Sequence, residues 1–234
     1  MNHPIVESCD GVTLVAGGPV RRRDLVAALR RAPRLVAADG GADKALAAGM
    51  MPEAVFGDLD SLSAAGRDRL GPARLHPIEE QETTDFDKAL RSVRAPFVLA
   101  LGVLGGRVDH ELAVLNALVR QPGQVCLLVG AQDVVFHAPP ALRLRLRTGD
   151  RLSLFPLAPV RGTSAGLRWP IDGIGFAADG MVGTSNLVTA PEVALTMAGP
   201  GMLVILPRAR LDAALSALLP GWRGVPGPRP ARGR

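Results

Sequence analysis

Asp58 and Asp60 stand two residues apart in Gly57-Asp58-Leu59-Asp60-Ser61, directly after the apolar run Ala54–Phe56. On extended backbone, side chains two residues apart project to the same side. Two carboxylates held that close repel, and a divalent cation removes the cost. Mg2+ suits such a pair because it takes oxygen ligands, keeps several waters and bridges carboxylates to substrate phosphates. The competing reading is a turn in which one of the two aspartates caps the next helix. Two further acids bear on the choice. Asp39, in Asp39-Gly40-Gly41, and Asp85, in Thr83-Thr84-Asp85-Phe86-Asp87-Lys88, fall at the same predicted sheet edge. Asp43 and Asp87, one helical turn further in, read as solvated helix residues. Lys88 reads equally as a phosphate contact and as the partner of Asp85 in a plain surface ion pair.

Gly105-Gly106-Arg107, followed by Asp109-His110, places free backbone amides and one guanidinium at a predicted strand-to-helix turn. Amides, helix dipole and a bidentate arginine are what a polyphosphate needs. His110 is open to two readings, acid–base catalysis or a hydrogen bond at the helix start. The chain lacks a Walker A ending in Gly-Lys-Ser/Thr and a Gly-x-Gly-x-x-Gly after its first strand, so neither a P-loop kinase nor an ordinary dinucleotide-binding domain is supported. Trp169 is one of two tryptophans. It serves either as an aromatic face for a cation or as core filling.

These residues need strands and helices to hold them. Short apolar runs predict strands at 11–16, 34–38, 54–57, 74–78, 97–101 and 125–129. Helices are predicted between them at 22–31, 41–48, 64–70, 85–90 and 108–119. Alternating strands and helices argue a parallel α/β domain. Ligands of such domains bind just beyond the carboxyl ends of the strands, where the acids fall. After Gly130 the pattern changes to strand-like runs at 134–137, 142–146, 151–157, 193–197 and 202–206, split by Gly and Pro, with a last helix at 210–219. A second, mostly antiparallel β domain is therefore expected from about residue 131.

Composition excludes several classes. Tyr is absent and aromatic residues make up 3% of the 234, which leaves little for stacking nucleic-acid bases. The formal charge of +5 lies almost wholly in Arg223, Arg229, Arg232 and Arg234, in a tail (220–234) without an acid. That tail is expected to be disordered, because it has too little apolar surface to offset its ordering entropy. Cys9 and Cys126 are too few and too isolated for a disulfide framework or a zinc site, which fits a reducing cytoplasm. The acidic start lacks the cationic-then-apolar pattern of a secretory leader. The longest apolar stretch, 193–206, is broken by Gly199-Pro200-Gly201, so no membrane association is expected.

Taken together, Asp39-Gly40-Gly41-Ala42, Gly57-Asp58-Leu59-Asp60-Ser61, Gln81-Glu82-Thr83-Thr84-Asp85-Phe86-Asp87-Lys88, Gly105-Gly106-Arg107-Val108-Asp109-His110 and Asn116 resemble thiamine pyrophosphokinase. Gly166-Leu167-Arg168-Trp169 and Gly183-Thr184-Ser185-Asn186 are similar to the segments that family uses around thiamine. The resemblance implies an amino-terminal parallel-sheet α/β domain (1–130) for ATP and Mg2+. It implies a carboxy-terminal antiparallel β-sandwich (131–219) for thiamine binding and dimerisation, and a homodimer with sites between subunits. Carried over, Asp58, Asp60 and Asp85 are the catalytic and metal-holding acids. Gln81, Thr84, Lys88, Gly105, Gly106, Arg107 and Asp109 contact ATP, while Trp169, Ser185, Asn186 and Asp39 meet thiamine. The chain departs from the pattern at Glu80 and Glu82, where many members carry Asp. The implied reaction sends the hydroxyethyl oxygen of thiamine onto the β-phosphorus of ATP, releasing AMP. Two alternatives use the same residues: a Mg-dependent phosphohydrolase of nucleotides or sugar phosphates, and a non-catalytic nucleotide-sensing module.

Overall fold

The structure is a computed structural model, in which residues 4–222 and 224 are described. The first half runs β1 (Val6–Glu7), β2 (Val12–Val15), α1 (Arg22–Leu29), β3 (Arg34–Ala38), α2 (Gly41–Ala47), β4 (Ala54–Gly57), α3 (Ala64–Leu70), β5 (Leu75–Pro77), α4 (Asp85–Arg91), β6 (Val93–Arg94), β7 (Val98–Leu101), α5 (Val108–Arg120) and β8 (Cys126–Val129). The second half runs β9 (Asp133–His137), β10 (Ala141–Arg145), β11 (Arg151–Pro156), β12 (Val160–Ala165), β13 (Gly175–Phe176), β14 (Gly183–Leu187), β15 (Glu192–Met197), β16 (Met202–Pro207) and α6 (Leu211–Leu218).

Ten strands form one sheet in the order β14-β11-β16-β9-β8-β7-β2-β3-β4-β5. The six from β8 to β5 are parallel. The chain steps outward from β2 to β5, then returns to β7 on the other side of β2. The sheet therefore has a topological switch between β2 and β7, the position where α/β domains bind ligands. Each of β2, β4, β7 and β8 is buried along its whole length, as expected of strands covered on both faces. Their side chains alternate between two cores. Leu14, Val36, Phe56 and Ala100 pack with α4 and α5. Val15 and Leu35 pack with α1 and α2 on the opposite face.

The sheet does not stop at Gly130. β9 pairs antiparallel with β8, Leu127 opposite Phe136, and β16, β11 and β14 extend the sheet antiparallel. One face of this extension, with Phe136, Leu152, Leu154 and Val204, packs on a four-stranded sheet ordered β10-β15-β12-β13 that contributes Leu144, Val160 and Leu195. The architecture is thus the expected α/β sheet with an antiparallel sandwich, and the sandwich's larger layer is the continuation of the α/β sheet. Within 220–234, Trp222 packs edge-on against Phe97 at 5.3 Å. Residues 223 and 225–234, on which the expected disorder of the tail mainly falls, lie outside the described residues. Among the described residues no helix is long and apolar enough to cross a membrane.

Candidate functional site

β3 and β4 end side by side, and both turn sharply. Asp39 follows β3 at φ 43° and Leu59 follows β4 at φ 66°. Such left-handed geometry in non-glycine residues is costly and concentrates at functional sites. Between them Gly57, at φ 135°, has no side chain for a specific reason. A Cβ there would lie 2.8 Å from the Asp85 carboxylate and 3.2 Å from Asp39 Cβ. Only glycine lets these two acids close over the end of β4.

Asp39, Asp58 and Asp60 each offer a carboxylate oxygen, all within 4.8 Å of one another. Backbone donors hold them: Ser61 N–H on Asp39 at 3.2 Å and Asp60 N–H on Asp58 at 3.2 Å. The helix-cap reading of Asp58 and Asp60 does not hold, because Ser63 caps α3 by accepting from Gly66 N–H at 3.0 Å. Asp43, expected to be solvated, accepts from Ser63 N–H and Oγ at 2.8 and 2.7 Å and ties α2 to that cap.

Asp85 opens α4, capped by Thr84, whose Oγ1 accepts from Asp87 N–H. Burial raises the Asp85 carboxyl, opposed by Lys88 and reinforced by Asp58 and Asp39. Asp58 is lowered, chiefly by the Asp60 amide. Lys88 is 2% exposed with its ammonium 3.4 Å from Asp85 Oδ1, so the ion pair expected at the surface joins a buried ammonium to a half-buried carboxylate. Asp87 corrects the other solvated assignment: it is buried and receives Arg120 Nη2 and Gln121 Nε2, each at 2.6 Å, joining α4 to α5. Glu80, which sequence reasoning left without a part, gathers its own loop by accepting from Glu82 N–H, Thr83 N–H and Oγ1, and Arg91. The Thr83 hydroxyl above all holds its pKa at about 2. Exposed Gln81 and Thr84 sit on either side of this staple.

At the switch point the two strand ends touch. Gly18 N–H donates to Gly102 O at 2.9 Å, and a Cβ on Gly18 would lie 2.5 Å from that oxygen. The Gly105 and Gly106 amides both donate to one oxygen of Glu111 at 2.8 Å. Arg107 grips Asp109 with two bonds, of 3.1 and 2.5 Å. The groups suited to phosphate are thus turned to the chain's own carboxylates, and Glu111 was invisible to motif reading. Beside them a cavity of about 610 Å³, lined by Gly102, Leu104, Gly105 and Leu115, runs on to Phe155 and Ile205. His110 is exposed in the first turn of α5.

The remaining residues lie at the far end of the sheet. Trp169 is 54% exposed, which removes the core-filling reading, and the Arg168 guanidinium stands 5.1 Å from its ring. Asn186 is buried, with its amide committed to the Trp169 backbone: Oδ1 accepts from Trp169 N–H at 3.2 Å and Nδ2 donates to Trp169 O at 2.6 Å. Ser185, at φ 61°, sits where the β14–β11 register breaks, and its N–H donates to Ser153 Oγ at 2.9 Å. This bulge turns Ser185 outward and Asn186 inward, a usual role of bulges near sites. From β14 to β4 there are eight strand spacings, roughly 38 Å at about 4.8 Å each. The structure brings Asp39, Asp58, Asp60 and Asp85 together, and it brings Trp169, Ser185 and Asn186 together, at opposite ends of one sheet.

Comparison with known proteins accords with this layout. Residues 26–128 match the family model described as the thiamin pyrophosphokinase catalytic domain. Thiamine pyrophosphokinase 1 of Arabidopsis thaliana is 29% identical over 161 residues, 61% of this chain and 60% of the relative. The thiamine pyrophosphokinase of Bacillus subtilis (strain 168) is 33% identical over 116 residues, 47% of this chain and 54% of the relative. The chain thus spans about 60% of the length of the first curated relatives it matches. The solved structure of thiamin pyrophosphokinase from Candida albicans superimposes with a TM-score of 0.73 over 88% of this chain and 93% of that one, at 16% identity, and shares the fold. Over residues 26–128, and in the motifs they carry, the chain is thus similar to the thiamine pyrophosphokinase family.

Proposed function

We propose that this chain transfers the diphosphate group of ATP to the hydroxyl of thiamine, giving thiamine diphosphate and AMP, in a site that a second copy of the chain completes. The observation that carries this reading is the convergence of Asp39, Asp58, Asp60 and Asp85 around the glycine end of β4. An all-oxygen set of three carboxylates within 4.8 Å, with a fourth across Gly57, fits Mg2+. Asp58 and Asp60 would hold the ion, joined by Asp39 from the same set and by Asp85 from across Gly57. Bound there, the ion neutralises charge on the non-bridging phosphate oxygens.

The chain's own groups do the rest. Gln81 and Thr84, presented by the Glu80 staple, face the nucleotide beside the acids. The Gly105 and Gly106 amides, released from Glu111, and Arg107, released from Asp109, take phosphate oxygens and the charge that develops on AMP as it leaves. A carboxylate oxygen of Asp39 or Asp85 that the ion leaves free would take the thiamine hydroxyl proton as the bond to the β-phosphorus forms. Trp169 offers its ring to the cationic thiazolium and Ser185 its hydroxyl to the polar edge, while Asn186 fixes Trp169 from behind.

Roughly 38 Å of sheet, counted strand by strand, lies between β14 and β4, more than one substrate pair bridges, which supports a homodimer with each site built from both chains. The open sheet face carrying Phe155 and Ile205 is consistent with such a partner. We divide the chain accordingly into 1–130 for ATP and Mg2+, 131–219 for thiamine and dimerisation, and the arginine-rich tail 220–234. A cytoplasmic enzyme fits the two free cysteines.

Product analysis tests the reaction. Purified protein with ATP, Mg2+ and thiamine should form AMP and thiamine diphosphate in equal amounts, with AMP release dependent on thiamine. Asp60→Asn should lower turnover on the order of a hundredfold or more at unchanged circular dichroism. Orthophosphate released irrespective of thiamine would instead establish a phosphohydrolase, and nucleotide binding without any product a sensing module.

A further inference from the structure

Lys88 occupies a place that lysines almost never take: it is 2% exposed, on the buried side of α4. Its neighbours Phe86, Ala89 and Leu90 lock that helix against Val36, Ala38 and Phe56 of β3 and β4. The ammonium is directed at Asp85 Oδ1, 3.4 Å away, and its charge is felt at Asp58 as well. Reaching a phosphate in solvent would require it to leave this packing, so the direct ATP contact expected from the motif does not follow from where the side chain sits. Among the described residues no other lysine or arginine forms an ion pair with Asp39, Asp58, Asp60 or Asp85. Four carboxylates thus face one fixed cation.

We infer that Lys88 is the built-in counter-cation of the acid cluster, a positioning residue that keeps the four carboxylates together when no metal is bound and weakens the grip of the metal that joins them. Both effects follow from the same charge. A buried ammonium offsets carboxylate repulsion continuously, whereas the same ammonium repels a divalent ion arriving a few ångströms away. The second effect rests on the metal site proposed above; the first does not. Such an arrangement lets the fold survive without metal while leaving the ion exchangeable with the nucleotide that carries it.

Three full-length proteins test this: wild type, Lys88→Met, and Asp85→Asn/Lys88→Met. Methionine preserves the length and apolar stem of lysine, and the double variant restores the net charge of the cluster without restoring either partner. Thermal midpoints are read in chelator and then in Mg2+ or Mn2+, and metal affinity is measured by calorimetry without nucleotide. The single variant should show the lowest metal-free midpoint and the largest gain on adding metal, and should bind the ion about tenfold more tightly than wild type. The double variant should recover most of the metal-free loss. A double variant no more stable than Lys88→Met would mean that Lys88 contributes packing alone. Unchanged or weaker metal binding by Lys88→Met would overturn the repulsive role. If wild type itself binds no divalent ion, the metal reading of the site falls, and the metal-free comparison alone decides whether Lys88 balances the acids.

Discussion

Single residues set the geometry of the acid cluster. Gly57 is indispensable through its missing Cβ, and Asp39 and Asp85 occupy the room it leaves. The spacing of Asp58 and Asp60 made the cluster legible in the sequence, because period-two geometry needs no tertiary knowledge. Asp43 and Asp87 were read as solvated because helical position alone does not reveal Ser63, Arg120 and Gln121 arriving from distant segments. Asn186 was expected beside Trp169, but its hold on the Trp169 backbone depends on a bulge that no local pattern announces. Trp169 carries the prediction at this scale. Trp169→Ala should raise the Michaelis constant for thiamine by several-fold to about thirtyfold, the range of a cation–π contact, and leave that for ATP unchanged. Its thermal midpoint should match wild type because the ring is largely exposed. Equal effects on both substrates would remove it from the thiamine side.

Elements place those residues, and the ones that could be read were those with an unbroken apolar core face. β3 and β4 fall at Arg34–Ala38 and Ala54–Gly57, as expected from their apolar runs. β12 and β14 escaped reading because Val160–Ala165 and Gly183–Leu187 are small, polar and half open to solvent, with little hydrophobic signal to repeat. The loop before α4 shows an element organised by one side chain, since Glu80 collects two amides, a hydroxyl and Arg91. Its folded pKa of about 2 lies below the ordinary 4.5. The contribution to loop order is therefore full above pH 4.5 and is lost as pH falls through about 2. Glu80→Ala should raise the Michaelis constant for ATP several-fold near neutral pH without altering that for thiamine, as measured by initial rates. An unchanged ATP constant would mean that the loop needs no staple.

At the scale of the molecule, one sheet carries both halves of the proposed chemistry and keeps them apart. The change from parallel to antiparallel pairing at Gly130 was legible as a change of pattern. Its continuity was not, because strand pairing across β8 and β9 leaves no local mark. Eight strand spacings between β4 and β14 are the physical ground for the proposal that two chains share a site. The most direct measurement is complementation: Asp60→Asn and Trp169→Ala chains are co-expressed, and thiamine diphosphate formation is followed at low thiamine against each variant alone. Random pairing gives half mixed dimers, each with one intact site of two, so activity should return to about a quarter of wild type. Co-expressed chains no more active than the variants alone, beside an active wild type, would contradict a site built from two copies.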